Sequence, residues 1–192
     1  MIEHNHLKAE RAIREHFSSI RSYARNGIML GLEADCDFEG NPIVPPGIRE
    51  ELDILIGSVH WLPCIVEGDR DPRRCVREFL DITLKLLEKG IDVLAHPTRV
   101  FTWNGMEVPR EVVDPLIDAA VANRVALELN SHSKDPDRYF VRRCLEKGAT
   151  IAIGTDSHSP EEFGDFSYHS RMLAECGVTE EDLEAILWDK TH

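Results

Sequence analysis

Short apolar runs alternate with longer segments of helical periodicity along most of this chain. The apolar runs are typical of buried strands, and they cover residues 28–32, 54–59, 91–95, 125–129 and 150–154. The helical segments cover residues 7–26, 48–52, 71–90, 109–123, 136–147, 161–176 and 180–188. Strands that alternate with helices predict an α/β protein with a parallel sheet of right-handed βαβ units.

Local signals support these boundaries. Asp71 and Pro72 form an N-cap and first-turn pair. Thr179 is a predicted N-cap of the last helix, and Asn26-Gly27 is a predicted helix stop. Periodicity leaves open whether the sheet is doubly wound or a barrel. The first strand is not followed by a glycine-rich loop, which disfavours a dinucleotide-binding fold.

Composition narrows the functional classes. The formal net charge of -13 argues against nonspecific nucleic-acid binding, which needs a basic surface. We expect no membrane span and no signal peptide, since the apolar runs are short and the first ten residues are polar. Five scattered cysteines without CxxC spacing suggest reduced thiols that pack as small hydrophobes, and hence a cytoplasmic protein.

Polar side chains that can bind metals follow four of the five predicted strands. Glu33, His60 and His96 each end one strand, and Asp156 and His158 follow the last. The carboxyl ends of parallel strands meet at one edge of a sheet, so these groups should converge there. Imidazole and carboxylate donors together suit divalent Zn, Mn or Fe. Such a rim could hold two ions that share a bridging carboxylate and a hydroxide, an arrangement suited to phosphoryl transfer.

The remaining histidines carry weaker signals. His16, His169 and His192 lie in helices or at the terminus, where we expect surface positions. His132 lies in a predicted rim loop, where we expect a polar lining of the pocket.

Several short motifs in this order resemble those of the PHP (polymerase and histidinol phosphatase) family. They are Gly31-Leu32-Glu33-Ala34-Asp35, Gly57-Ser58-Val59-His60, Ala95-His96-Pro97, Glu128-Leu129-Asn130 and Gly154-Thr155-Asp156-Ser157-His158. No single motif is specific, but the ordered set over roughly 130 residues is. The resemblance implies a distorted (β/α)7-type barrel, similar to a TIM barrel, with up to three metal ions at the strand ends. It also implies hydrolysis of phosphate esters, histidinol phosphate among them.

The resemblance implies roles for individual residues. Glu33 would bridge two ions, His60 and His96 would complete one site, and Asp156 would bind the other ion. Glu33, His60 and Asp156 are the implied catalytic residues. His158 would bind a third ion.

The start of the chain departs from the family pattern. Residues 2–5 resemble the end of the second motif, so His4 would share the third ion with His158. In a rival assignment, His4 and His6 form the first motif, but too few residues separate them from Glu33. With the first assignment, the first strand and its His-x-His pair are missing, and residues 1–192 form one truncated domain with an open barrel edge. Such an edge favours pairing with another copy.

Substrate-binding candidates lie in the predicted rim loops. Arg99 follows His-Pro-Thr and could bind a phosphate through two hydrogen bonds. Arg138 and Lys134 lie in another rim loop. Trp61 and Trp103 could form walls of the pocket.

These observations predict a metal-dependent phosphoesterase that uses two or three divalent ions and a metal-bound hydroxide on a small phosphorylated substrate. The alternative is a catalytically impaired metal-binding module or fragment that acts as an assembly partner. A metallohydrolase of the amidohydrolase type is disfavoured, because an early His-x-His in register and a carboxylated lysine are not evident.

Overall fold

The structure is a computed structural model that describes residues 2–20 and 28–190, with side chains from Glu10 onward. Its centre is a parallel sheet of five strands in the order of the chain. The strands are β1 (Gly31–Asp35), β2 (Ile54–Ser58), β3 (Val93–Leu94), β4 (Ala126–Asn130) and β5 (Ile151–Gly154). Strands that pair in sequential order, all parallel, are compatible with a barrel-like fold.

Helices connect and flank the strands. In chain order they are α1 (Ile2–Ile20), α2 (Pro63–Val66), α3 (Pro72–Leu87), α4 (Arg99–Trp103), α5 (Arg110–Asn123), α6 (Arg138–Lys147), α7 (Ser167–Glu175) and α8 (Leu183–Ile186). Short 3₁₀ helices span Arg49–Glu51 and Glu180–Asp182. Within the described ranges, no helix has the length and apolar character that a bilayer crossing requires.

The two faces of the sheet follow from strand alternation. Leu55, Leu94 and Leu127 point to the face covered by α3 and α5, where they join the largest apolar cluster. Val93 and Ala126 lie on the opposite face, in a smaller cluster that includes Trp188. Neighbouring side chains on a strand point to opposite faces of the sheet. Polar side chains on the face with Val93 and Ala126 therefore do not contact α3 and α5.

A separate contact holds the first helix. Phe17 of α1 packs with Leu30 and Ile48, and all three are nearly fully buried. Arg14 pairs with Glu51 beside this cluster. The predicted helix over 7–26 is therefore confirmed up to Ile20 and begins earlier, at Ile2, while residues 21–27 lie outside the described part.

The predicted N-caps Asp71 and Thr179 and most boundaries are confirmed, while the predicted stop at Asn26-Gly27 lies outside the described residues. Asp71 accepts a hydrogen bond from Arg74 N at the start of α3, and Thr179 forms a capping box with Asp182. The predicted helix over 161–176 is wrong in its first part, because α7 begins only at Ser167. The short helices α2 and α4 lie within the segments 61–70 and 98–108, for which the sequence predicted neither a strand nor a helix.

Two further corrections concern polar and sulfur side chains. His169 was predicted at the surface but is 2% exposed, because its imidazole lies under the ends of β4 and β5. His192 lies outside the described residues. The cysteines are free thiols, and Cys64, Cys75 and Cys144 are buried as expected.

Candidate metal centre

Glu33, His60 and His96 form a compact triangle at the carboxyl edge of the first three strands. Glu33 Oε1 lies 3.2 Å from His96 Nε2 and 3.7 Å from His60 Nε2. One donor atom of each residue lies within 4.8 Å of the others. Three predicted ligands, from segments up to 63 residues apart, are therefore brought together.

The strand register explains how Glu33 reaches this position. The first strand was predicted to begin at Ile28 and to end in Glu33, but β1 runs from Gly31 to Asp35 and places Glu33 inside the strand. Glu33 and Ile56 are register partners, so both point to the face that the helices leave free. The Glu33 side chain is 34% exposed, which leaves it open to a ligand.

His60 is oriented by groups on its other side. Its Nδ1 lies 3.3 Å from Ser58 Oγ and 3.5 Å from Asp35 Oδ1. Its backbone N–H also donates to Asp35 Oδ1, at 3.4 Å. With Nδ1 held on this side, Nε2 faces Glu33 as an available donor atom, an arrangement common among metal-binding histidines.

The carboxylates of β1 favour the ionised form. Burial raises the pKa of Glu33, but the hydrogen bond and charge of His96, together with His60, bring it below its usual value. Burial also raises the pKa of Asp35, but hydrogen bonds from His60 and Cys36 N outweigh this effect. The pKa of Asp35 is therefore below its usual value. Both carboxylates are therefore ready to bind a cation at neutral pH.

The His96 imidazole and the Glu33 carboxylate also affect each other. Burial lowers the pKa of His96, yet the bond to Glu33 and the nearby charge of Glu128 raise it above the usual value.

Glu128 lies behind this triangle and was not predicted as a site residue. Its side chain is almost fully buried, with Oε2 2.7 Å from His96 N and 3.1 Å from Asn130 Nδ2. Burial raises the pKa of Glu128, although these two donors oppose the rise. The signal in the sequence is a charged residue inside an apolar run, in the motif Glu128-Leu129-Asn130, and this signal by itself indicates no role.

Asp156 follows β5 and contacts Asn130 and Arg99. Its Oδ2 is 3.3 Å from Asn130 Nδ2 and 3.6 Å from Arg99 Nη1. Asn130 Nδ2 also contacts Glu128, so a continuous set of polar contacts runs from His96 through Glu128 to Asp156. Asp156 has a φ of 45°, a left-handed conformation that non-glycine residues seldom adopt and that often marks functional positions.

An aromatic and cationic group borders the triangle. The Arg99 guanidinium lies 4.8 Å from the Trp103 ring, which contacts His60 edge-on with centroids 6.1 Å apart. Trp61 lies 6.1 Å from Trp103, and both tryptophans are at least half exposed. A positive charge and two exposed rings next to carboxylates form a surface that could receive an anionic substrate.

The other predicted site residues lie apart from the triangle. His158 groups with His132 and Glu162. Arg138 begins α6 and pairs with Glu175 at 3.5 Å, at an exposed position. His4 belongs to helix α1, but its side chain is outside the described part of the structure. Its role as a metal ligand therefore stays a prediction.

The donor set fits a divalent transition metal. Two imidazole nitrogens and an ionised carboxylate converge within reach of one ion. The Asp156 carboxylate lies outside this group and is linked to it through Asn130 and Glu128. Zinc, manganese and iron in the divalent state accept this combination of nitrogen and oxygen donors. Fold and site together define a parallel α/β protein with a candidate metal centre at its carboxyl edge.

Comparisons with known proteins find relatives that are named as probable phosphatases and as a DNA polymerase with exonuclease activity. No family model matches the chain. It is 27% identical to a probable phosphatase of Acetivibrio thermocellus over 79% of this chain and 61% of that protein. It is 28% identical to a probable phosphatase of Clostridium acetobutylicum, over 80% and 62%. It is 30% identical to the DNA polymerase/3'-5' exonuclease PolX of Bacillus subtilis, over 72% of this chain and 23% of that protein. The chain thus spans about three fifths of the length of these two phosphatases.

Proposed function

We propose that this protein is a metal-dependent phosphoesterase of the PHP family. The observation that carries the proposal is the convergence of Glu33, His60 and His96 at the carboxyl edge of a parallel sheet. Similarity to proteins named probable phosphatases supports the same class of reaction. The motif resemblance extends the proposal to a distorted seven-stranded barrel and to small phosphomonoesters of the histidinol phosphate type.

Glu33, His60 and His96 would hold one ion, and Asp156 would help to hold a second ion. Bound divalent ions in such sites supply a nucleophile at neutral pH and stabilise the negative charge of phosphoryl transfer. The protein's contribution is to keep the donors ionised and oriented. Ser58 and Asp35 orient His60, and Glu128 orients the backbone of His96.

Arg99 is the residue proposed to bind the phosphate. It is half-buried, lies on the Trp103 ring and contacts the Asp156 carboxylate, so its charge is directed at the metal centre. A phosphate dianion would compete with Asp156 for this guanidinium and could accept two parallel hydrogen bonds from it. Arg138 stays a weaker candidate, since it pairs with Glu175.

A metal and activity assay with matched carboxylate variants tests the proposal. The purified chain is loaded with Mn²⁺ or Zn²⁺, analysed for bound metal and assayed on a panel of phosphomonoesters. We expect metal-dependent hydrolysis that Glu33→Gln abolishes and Glu39→Gln leaves unchanged. Glu39 is an exposed carboxylate shortly after the same strand, so its variant controls for the loss of one charge.

Two outcomes would contradict the proposal: no bound metal after loading, or hydrolysis that survives Glu33→Gln. Bound metal without turnover of any ester would instead support the alternative of a catalytically impaired metal-binding module.

A second pair of variants tests the phosphate-binding role. Arg99→Ala should raise KM for phosphomonoesters at least about 10-fold with unchanged metal content, because a charged hydrogen-bonding partner is lost. Arg110→Ala is the matched control, since Arg110 also stacks on an aromatic ring, that of Tyr139 at 4.2 Å. Equal KM values for the two variants would remove Arg99 from the site.

A further inference from the structure

Thr98 lies between His96 and Arg99 and is the N-cap residue of α4. The side chain of an N-cap threonine usually accepts a hydrogen bond from the first turn of its own helix, but that of Thr98 accepts none. Its hydroxyl donates instead to Asp135 Oδ1 at 2.5 Å, and its backbone N–H donates to Asp135 Oδ2 at 2.8 Å. Both oxygens of one carboxylate therefore hold the residue that precedes α4.

Asp135 is itself fixed to the end of β4. Its backbone forms an antiparallel bridge with Asn130, in which Asn130 N donates to Asp135 O at 2.7 Å and Asp135 N donates to Asn130 O at 3.2 Å. Asp135 is 4% exposed and Thr98 is 1% exposed, and hydrogen bonds shielded from water are stronger than exposed ones. Asp135 thus links the start of α4 to the rigid end of a neighbouring strand.

The helix α4 depends on such a link because it is short. It contains five residues, and a helix of this length is not stable on its own. Val100 and Phe101 are buried and attach α4 to the core, whereas the side chains of Arg99 and Trp103 contact each other beside the candidate metal centre. Apolar packing is non-directional. The hydrogen bonds from Thr98 therefore supply direction at the first turn, where the Arg99 side chain begins.

The Arg99 guanidinium is placed between two partners. It lies 4.8 Å from the Trp103 ring, and its Nη1 lies 3.6 Å from Asp156 Oδ2 on the loop after β5. A shift of the first turn of α4 would move the guanidinium relative to that loop. Small misplacements of binding groups can cost a large part of an enzyme's efficiency.

We propose that Asp135 is a positioning residue for Arg99. Through Thr98 it fixes the first turn of α4, and with it the place of the guanidinium beside the candidate metal centre. The proposal rests on the phosphate-binding role proposed above for Arg99. Asp135 touches neither the metal nor the substrate in this role, and the motif resemblance assigns no role to Asp135 or Thr98.

Two variants of Thr98 separate the hydroxyl hydrogen bond from the shape of the side chain. Thr98→Val has nearly the same shape but cannot donate to Asp135, whereas Thr98→Ser keeps the hydroxyl. In the chain loaded with Mn²⁺, Thr98→Val should raise KM for phosphomonoesters about 10-fold, a usual effect of losing a supporting contact. Its kcat and bound metal should stay unchanged, because only ground-state binding is weakened. Thr98→Ser should keep a KM close to that of the wild type.

The effect should also depend on Arg99. In an Arg99→Ala background, Thr98→Val should cause no further rise in KM, because the group that Asp135 positions is gone. A further rise in that background would overturn the proposal. An unchanged KM in Thr98→Val, or an equal rise in Thr98→Ser, would overturn it as well.

A measurement that needs no catalysis separates this proposal from the proposed function. Nuclear Overhauser effects between the Arg99 side chain and the Trp103 ring report the place of the guanidinium in the chain without added metal. They should weaken in Thr98→Val and persist in Thr98→Ser. Unchanged effects in Thr98→Val would overturn the positioning role even in an active phosphatase. An inactive chain would contradict the proposed function, while these contacts would still decide whether Asp135 positions Arg99.

Discussion

The Glu128 carboxylate lies 2.7 Å from the backbone nitrogen of His96, a residue held at a φ of 26°. A positive φ is uncommon for a residue with a side chain and costs on the order of 1–3 kcal/mol. A buried acceptor placed at that N–H helps to stabilise the conformation. This contact determines the backbone position from which the His96 ring faces Glu33.

Removal of the Glu128 carboxylate should therefore affect both stability and metal binding. Glu128→Ala leaves the His96 N–H without its acceptor and should lower the free energy of unfolding by about 1–3 kcal/mol. Zinc affinity at the Glu33 centre should fall about 10–100-fold, the usual effect of losing a supporting contact. Urea unfolding and zinc competition titrations measure the two effects.

Glu128→Gln is the informative partner variant. It keeps an oxygen acceptor for His96 N and should recover most of the zinc affinity. If Glu128→Ala binds zinc as tightly as the wild type, Glu128 does not position His96.

Gly154 is required by the space that Glu128 occupies. A Cβ at Gly154 would overlap Glu128 Oε1 and its carboxyl carbon. Gly154→Ala should therefore displace the carboxylate and cost about 1–3 kcal/mol. Gly31→Ala is the control, because its Cβ would meet Ile54 at an ordinary 3.7 Å. Thermal unfolding of both variants decides the matter, and equal stabilities would show that Glu128 moves freely.

His169 connects the ends of two strands. Its Nε2 donates to the carbonyl oxygens of Leu129, at 2.9 Å, and Gly154, at 3.0 Å, and the ring is buried. His169→Ala should lower stability by about 2 kcal/mol or more, through a cavity and a lost donor. His169→Gln offers an N–H at a similar distance and should recover part of the loss, as measured by chemical unfolding. An effect no larger than that of the exposed His16→Ala would contradict this role.

Asp135 should produce a distinctive pH dependence. Burial raises its pKa, although Thr98 donates to both carboxyl oxygens from N and Oγ1, at 2.8 Å and 2.5 Å. A carboxyl whose pKa is raised by folding binds its proton more tightly in the folded state. Stability associated with Asp135 is therefore greatest below the unfolded value of 3.8 and declines as pH rises toward the folded pKa.

The comparison variant is Asp135→Asn, which does not titrate. The unfolding free energy of the wild type minus that of the variant should decrease with rising pH in this window, by at most about 1.4 kcal/mol per pH unit. Above the folded pKa the difference should become constant. A difference that increases with pH would show that the Thr98 hydrogen bonds outweigh burial.

Much of the fold could be predicted from local patterns. β2 was predicted as 54–59 and found as Ile54–Ser58, and α3 begins at Pro72 after its Asp71 cap. These elements have strong apolar periodicity and specific cap residues, which act over a few residues. The start of α7 and the helical turn of α4 were missed because tertiary packing, rather than periodicity, sets their limits.

Part of the candidate site could likewise be predicted from the sequence, and part could not. Glu33, His60 and His96 could be predicted to converge, since parallel strands bring their carboxyl ends to one edge. The supporting contacts of Glu128 and Asn130 could not, because a charged residue in an apolar run does not reveal which backbone group it binds. The pairing of His158 with His132 was missed because loop conformation decides it.

By itself, the sequence determined an alternation of strands and helices and the chemical groups that follow each strand, because hydrophobic periodicity and cap residues are local properties. Only the tertiary structure decided through which atoms those groups make contact and which buried and loop residues join them. Register places Glu33 on the face that the helices leave free, burial directs Glu128 to the backbone of His96, and loop geometry turns Asp156 toward Arg99. These depend on contacts between residues far apart in the chain, whose energies are settled only when the sheet and its covering helices pack together.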